Sequence, residues 1–406
     1  MSMLNTLRRK TLPNLAWYDV REFFRLPHAP GARITPRKLL NLYTVRFQRM
    51  RAHQRLLGYP LVLTIEAANV CNLACPYCFT GAGDVSRTRA HFPLPLYKQL
   101  MDELGPYLFT LELHNWGEPL LNKNIAEYVK VATDKGVATL MSTNYSFPYT
   151  AERAEALVAA GLTQLGVSLD GATQESYVKY RVKGNLELAL ANVRLINDAK
   201  KKLGSKTPRM IWEFHVFEWN QDDIELARRM AAELDMHIDV SKGWVTGAEW
   251  GGQDSPYKFF QAPSVDGCEF LWQRAIVSID GGVPPCCGTF FKEDDFGTIG
   301  EKGFKAVWNN ANFQASRKLF KDRESSPLGK QLVCYDCPET ITRQEYLDHM
   351  AAGGQRLEFR GRFTSNDGFN YFFSRRPPFT SANGKSDMIA LEPVEAATTG
   401  DAQPQS

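Results

Sequence analysis

No apolar run in this 406-residue chain approaches the roughly 20 residues that a membrane-spanning helix needs. The opening stretch from Met1 to Arg9 lacks the apolar block of a signal peptide. Cysteine is sparse as well. The eight that occur fall into two groups, Cys71 to Cys78 and Cys268 to Cys337, with none elsewhere. That usage suits a reducing cytoplasm, and hence a cytoplasmic protein, rather than a disulfide-bonded secreted fold. Acidic residues are nearly missing from the first 60 positions, where only Asp19 and Glu22 stand against twelve Lys or Arg. The balance there is +10, so the remainder carries −7 in a chain whose net charge is +3. The basic segment reads as a solvated helix face or as a peripheral contact with an anionic membrane surface; no nucleic-acid partner is expected. The length allows a full core plus one smaller domain.

Residues 37–57 have the pattern of an amphipathic helix, with Leu39, Tyr43, Phe47 and Met50 at helical spacing and Arg46, Arg49 and Arg55 elsewhere around the turn. From residue 61 to about 245, strands and helices alternate. The strand-like runs are Leu61–Glu66, Phe109–His114, Ala138–Ser142, Gln164–Leu169, Met210–Phe217 and His237–Val240. Helix-like stretches lie between them: Leu96–Leu104, Ile125–Lys135, Thr150–Ala160, Leu186–Lys202 and Asp222–Leu234. Such alternation predicts a parallel sheet with right-handed crossovers. Six units predict a partial (β/α)6 TIM-like barrel, with its chemistry at the C-terminal strand ends. Residues 246–262 read as a linker. Beyond it, Ala275–Ile279, Asp280-Gly281-Gly282 and Val283–Pro285 read as strand, turn and strand, and Phe304–Phe320 as a helix. Phe359–Phe379 is rich in Arg and aromatics and is read as a lid that folds back; residues 380–406 have a disordered composition. Four regions follow: 1–60, 61–250, 260–345 and 350–406.

Chemistry concentrates in Cys71-Asn-Leu-Ala-Cys75-Pro-Tyr-Cys78, directly after the first strand-like run. An odd trio of thiols cannot pair off as disulfides. Three thiolates plus water make a zinc site. Three thiolates also leave a cubane iron–sulfur cluster one iron short of full cysteine ligation, with a coordination position free for a small chelating ligand. A zinc site would not need the aromatic Tyr77 between the second and third cysteines. Polar groups recur where later strands end: Asn115-Trp116-Gly117-Glu118-Pro119, Ser142-Thr143-Asn144, and Ser168-Leu169-Asp170-Gly171. Such groups bind a polar ligand or cap a helix. Tyr180-Arg181 follows. On the fifth run, alternation puts Trp212 and Phe214 on one side and Glu213 and His215 on the other; Lys242 and Trp244 follow the sixth. Glu213 and His215 are either substrate contacts or a mutually satisfied buried pair, since an unpaired inward carboxylate is costly. The second cysteine set, Cys268, Cys286-Cys287 and Cys334-Tyr-Asp-Cys337, fits a cluster or zinc by spacing alone.

With these motifs in this order, the chain resembles the radical S-adenosylmethionine (radical SAM) family over roughly residues 60 to 340. The resemblance implies that Cys71, Cys75 and Cys78 hold a [4Fe-4S] cluster whose open iron binds SAM. It implies that Tyr77 packs near the adenine and that Gly117 and Glu118 hold the amino group of SAM, with Trp116 standing where the family has a glycine. Ser142, Asn144, Ser168 and Asp170 are similar to positions that bind its carboxylate and ribose, and Arg181 to one near the carboxylate. The second set resembles the small α+β twitch domain, a reduced SPASM domain. There Cys268, Cys286, Cys334 and Cys337 hold one auxiliary [4Fe-4S] cluster, and adjacent Cys286 and Cys287 leave room for a swap. Cys287 is then a leftover thiol, either packing or a hydrogen-atom donor. The implied chemistry is hydrogen abstraction from a small carbohydrate or natural product, ending in dehydrogenation, epimerisation or bond formation. An external one-electron donor such as flavodoxin or ferredoxin would drive it. Ribosomal peptide maturation and lipid modification are the alternatives, and a non-catalytic iron–sulfur or zinc scaffold is the rival from another class.

Overall fold

The computed structural model describes residues 23–27, 29–76, 78–84, 86–242, 268–321 and 325–335. Tyr77, Trp244, Cys337, the 246–262 linker, the Phe359–Phe379 segment and the 380–406 tail lie outside them, as does the side chain of Lys242. Seven strands are present: β1 Val62–Ile65, β2 Thr110–Glu112, β3 Ala138–Thr143, β4 Gln164–Ser168, β5 Arg209–Val216, β6 His237–Lys242 and β7 Arg274–Val277. They make one open, wholly parallel sheet in the order β6-β5-β4-β3-β2-β1-β7. Helix α1 (Pro36–Met50) precedes the sheet. The short α2 (Phe79–Ala82) and α3 (Leu94–Leu104) link β1 to β2, α4 (Ile125–Asp134) links β2 to β3, and α5 (Ala151–Ala159) links β3 to β4. Helices α6 (Gln174–Tyr180) and α7 (Leu186–Leu203) lie between β4 and β5, and α8 (Ile224–Glu233) between β5 and β6. Side-chain caps fix several helix starts: Thr150 accepts from Arg153 N, Asn185 from Leu188 N, and Thr173 makes a capping box with Ser176.

Alternation along the strands sorts side chains into two environments. Leu63, Ile65, Leu111, Leu113, Met141, Leu165, Val167, Trp212, Phe214, Ala275 and Val277 join helix residues such as Leu100, Val129, Leu157 and Val193 in one apolar core. Burying each such aliphatic side chain is worth about 1.5–3 kcal/mol. The intervening positions, among them Thr64, Glu112, Ser142, Ser168, Glu213, His215 and Arg274, bond to one another across neighbouring strands. The interior of the barrel is therefore a polar lumen.

Three sequence expectations change. The run after residue 274 is not a self-contained hairpin. Its first half is β7, which adds to the barrel sheet beside β1 with Val62 opposite Arg274. The turn forms, with Gly281 at φ 82°, but Val283 exchanges backbone hydrogen bonds with Phe296 and Gly297 rather than with β7. The expected helix Phe304–Phe320 is two helices, α9 (Gly303–Trp308) and α10 (Ala311–Leu319), because Asn310 leaves the helix and caps α10 through Phe313 N. The buried face of α1 is also different. Leu42 and Val45 pack with Leu61 and Phe109, and Lys38, Arg46 and Arg49 are buried, whereas Phe47 is 46% exposed. Lys38 Nζ donates to Gly136 O at 2.6 Å and Arg46 to Phe23 O at 2.6 Å, so backbone carbonyls satisfy cations that the pattern assigns to solvent. Burial pushes Lys38 down to about 8.

Candidate active site

The Cys71–Cys78 loop leaves the C-terminal end of β1 and is pinned at both ends. Ala74 N donates to Val182 O, and Glu118 N donates to Val70 O. Gly117 makes the second contact possible, since a Cβ there would lie 2.0 Å from Ala68 O. The three thiols meet groups that follow β3 and β2 and one at the C-terminal end of α6. Asn144 Nδ2 lies 3.7 Å from Cys71 Sγ, Arg181 3.9 Å from Cys75 Sγ, and Trp116 O 4.0 Å from Cys78 Sγ. Desolvation pushes Cys71 up to about 12 and Cys75 up to about 11 and raises Cys78. Thiols this reluctant to ionise need a cationic group to become thiolates, and an iron–sulfur cluster is such a group. Among the described residues no three thiols, carboxylates or imidazoles converge on a single-ion site. A cubane engages each thiolate at a separate iron, and three cysteines around a shared loop fit that demand.

Behind the thiols, the strand-end residues named from the sequence form two networks. In the first, Asp170 is fully buried and accepts from Arg181 Nε at 2.6 Å, while its other oxygen accepts from His215 N at 2.8 Å and meets His215 Nδ1 at 2.9 Å. Burial opposes ionisation, but the Arg181 and His215 charges prevail and hold Asp170 at about 2. Desolvation likewise opposes charge on His215, and Asp170 outweighs it, raising that pKa. In the second network, Glu213 Oε2 accepts from Ser142 Oγ at 2.5 Å and from Ser168 Oγ at 3.1 Å. Glu213 and His215 thus share a face but do not pair with each other; Glu213 binds residues of β3 and β4, and His215 binds Asp170 just beyond β4. Glu118 is buried and already satisfied: its oxygens accept from Leu120 N, Thr143 Oγ1 and Asn144 N. Burial raises it to about 7. Its carboxylate ties the end of β2 to that of β3 and so places Asn144 beside Cys71.

In the C-terminal part, Cys334 lies close enough to Cys286 and Cys268 for their charges to act on its thiol, which desolvation raises. Cys287 has other neighbours. It is exposed, yet lies near Arg274 and Glu112 of the lumen. Those two form a two-pronged pair at 2.6 and 2.7 Å, with Thr64 Oγ1 adding a bond to Glu112. The structure therefore groups Cys286, not Cys287, with Cys268 and Cys334. Trp116 takes its place in an aromatic cluster. Its ring meets Phe79 and Phe290 edge-on, and Phe79 stacks on Phe290 at 4.7 Å, joining the first cysteine loop to the C-terminal part.

Sequence reading misses Gly166. A Cβ there would lie 2.0 Å from Glu213 Oε1. A glycine inside a strand is the available signal, because it marks a close approach.

A family model described as the radical SAM superfamily matches residues 65–211, and one described as an iron–sulfur cluster-binding domain, SPASM, matches residues 268–338. The chain belongs to the radical SAM superfamily and carries a SPASM-type domain. Among curated relatives, the S-adenosyl-L-methionine-dependent 2-deoxy-scyllo-inosamine dehydrogenase of Niallia circulans is 24% identical over 71% of this chain and 97% of its own. Mycofactocin maturase MftC of Mycolicibacterium smegmatis is 31% identical over 36% of each chain. Against several further relatives the match spans about a third to two-fifths of their length. The crystal structure of Streptococcus suis SuiB has a TM-score of 0.51 at 14% identity, covering 68% of this chain and 72% of that one, a likeness of fold.

Replacing Gly166 with Ala should expel the Glu213 carboxylate from Ser142 and Ser168, costing about 1–3 kcal/mol of stability. Adding Glu213→Ala to that variant should restore part of the loss, because the clash goes with the side chain. Equal thermal midpoints for wild type and Gly166→Ala would rule this packing out.

Proposed function

We propose that this enzyme binds SAM at the Cys71–Cys78 cluster and removes a hydrogen atom from a small carbohydrate-like substrate, with one auxiliary cluster close by. The observation that carries the reading is the polar lumen: three thiols at its mouth, with Asp170, Arg181, His215, Ser142, Ser168 and Glu213 below them. When bound, the first cluster and SAM supply reductive cleavage of SAM to an adenosyl radical, and an external reductant supplies the electron. The chain's own work is placement. Asn144 and Arg181 flank Cys71 and Cys75, and Asp170 fixes Arg181 and keeps His215 oriented on the same side. Ser142 and Ser168 offer hydroxyl groups to the carboxylate and ribose of SAM, while Asp170, fully buried and engaged on both oxygens, acts through Arg181 and His215. Cys268, Cys286, Cys334 and Cys337 hold the auxiliary cluster.

Dehydrogenation of a polyol is supported by the Niallia circulans relative, named as a dehydrogenase and matched over 97% of its length. Peptide maturation is the second reading, supported by the similarity to MftC. The position of Cys287 beside Arg274 and Glu112 supports a third outcome, in which its thiol returns a hydrogen atom to the substrate and the reaction is an epimerisation.

Anaerobically prepared protein reduced with dithionite should convert SAM to 5′-deoxyadenosine and methionine; failure with full iron and sulfide content would refute the reading. With substrate in D2O, Cys287→Ala separates the outcomes. If it donates, the wild-type product carries one solvent deuterium, and the variant still makes 5′-deoxyadenosine but loses the inverted product. Normal turnover by the variant removes Cys287 from the chemistry.

A further inference from the structure

Helix α1 crosses the end of the barrel opposite the cysteine loop. Its inner face packs on Leu61 and Phe109, which lead into β1 and β2, and Lys38 reaches Gly136 O, just ahead of β3. The Cys71–Cys78 loop leaves the other end of β1.

The outer face of α1 is not that of an ordinary solvated helix. Leu40 is 71% exposed and Phe47 46%, two turns apart, with the half-buried Tyr43 between them. Phe24, 62% exposed, extends this surface, its ring centre 6.0 Å from that of Tyr43. A single exposed apolar side chain is unremarkable, but a contiguous set on one helix face marks a surface that meets another apolar phase.

Positive charge surrounds the set. No acidic residue occurs between Glu22 and Glu66, a stretch that holds eight Lys or Arg. Lys38, Arg46 and Arg49 are buried, whereas Arg25, Arg33, Arg37, Arg51 and Arg55 are exposed. Arg37 and Arg51 stand at the two ends of the apolar stripe, and the Arg51 guanidinium lies over the Phe47 ring at 5.9 Å. Apolar side chains bracketed by long-stemmed arginines match the headgroup layer of an anionic bilayer. Such a layer takes the apolar groups below its phosphates and pairs the phosphates with guanidiniums. Nucleic acid would neutralise the arginines but leave Phe24 and Leu40 in water. No helix among the described residues is long and apolar enough to cross a membrane, so the contact is peripheral.

We infer that the outer face of α1, together with Phe24, docks the protein on an anionic lipid surface with the mouth of the barrel turned away from the bilayer. In that pose substrate and reductant reach the lumen from water, and no lipid chain is brought to the cysteine loop. The inference stands apart from the reading of the substrate.

Flotation of the full, cluster-loaded chain with vesicles of phosphatidylglycerol and phosphatidylcholine in equal parts tests it, with pure phosphatidylcholine vesicles as the control. The chain should float with the anionic vesicles only, and less so as salt is raised. Leu40→Ser with Phe47→Ser, and separately Arg37→Gln with Arg51→Gln, should each weaken binding by about ten-fold or more, with thermal midpoints unchanged. The arginine pair leaves every apolar side chain in place and keeps the test valid if the first variant does not fold. 5′-Deoxyadenosine formation from SAM should be equal with and without the anionic vesicles; its loss on them would place the mouth against lipid and overturn the orientation. Absence of flotation, or flotation untouched in both variants, would overturn the docking. A dimer, or a complex with flavodoxin, formed in place of vesicle binding and lost in the same variants would also overturn it and assign the face to that occupant.

Discussion

Each strand of this sheet faces two environments at once, an apolar layer under the helices and a polar lumen, and a slip of one residue would exchange them. Everything functional in the chain depends on that register. Leu165 and Val167 go to the core while Gly166 and Ser168 line the lumen; Trp212 and Phe214 go to the core while Glu213 and His215 line the lumen. The apolar face supplies the stability. The polar face costs desolvation, which cross-strand hydrogen bonds offset.

Asp170 shows how that cost is met. A fully buried carboxylate is unfavourable alone, yet it is held ionised by Arg181 on one oxygen and by His215 on the other. Because Arg181 also reaches Cys75, one carboxylate connects β4, β5 and the cysteine loop. On the opposite side, Arg87 bridges Asp280 and Asp295 and so links the loop beyond α2 to the C-terminal part, next to the Phe79–Trp116–Phe290 cluster. The two sides of the lumen are thereby braced by separate ion clusters.

Much of this was legible in the sequence. Long apolar runs ending in Asn, Ser, Asp or Glu located six strands and put the motifs at their C-terminal ends, because both signals are local. What stayed hidden depended on partners far along the chain. The basic segment reads as a solvated helix face until Gly136 O, 98 positions from Lys38, is placed over that ammonium. Glu213 and His215 read as partners by alternation, and only the neighbouring strands show that Ser142 with Ser168 and Asp170 take them instead. The seventh strand could not be assigned to the barrel from its own residues, since its pairing with β1 spans more than 200 positions. Cys286 and Cys287 are chemically alike and adjacent; only their neighbours in the fold separate them, Cys334 for one and Arg274 with Glu112 for the other.

The central claim is that the thiols of Cys71, Cys75 and Cys78 hold the cluster on which SAM is cleaved. The most direct measurement is 5′-deoxyadenosine formation together with iron content in a variant with all three replaced by Ala. The account predicts no 5′-deoxyadenosine above background while about four irons per chain remain on the auxiliary site. Cleavage of SAM by that variant, or loss of all iron from a chain that still folds, would contradict it.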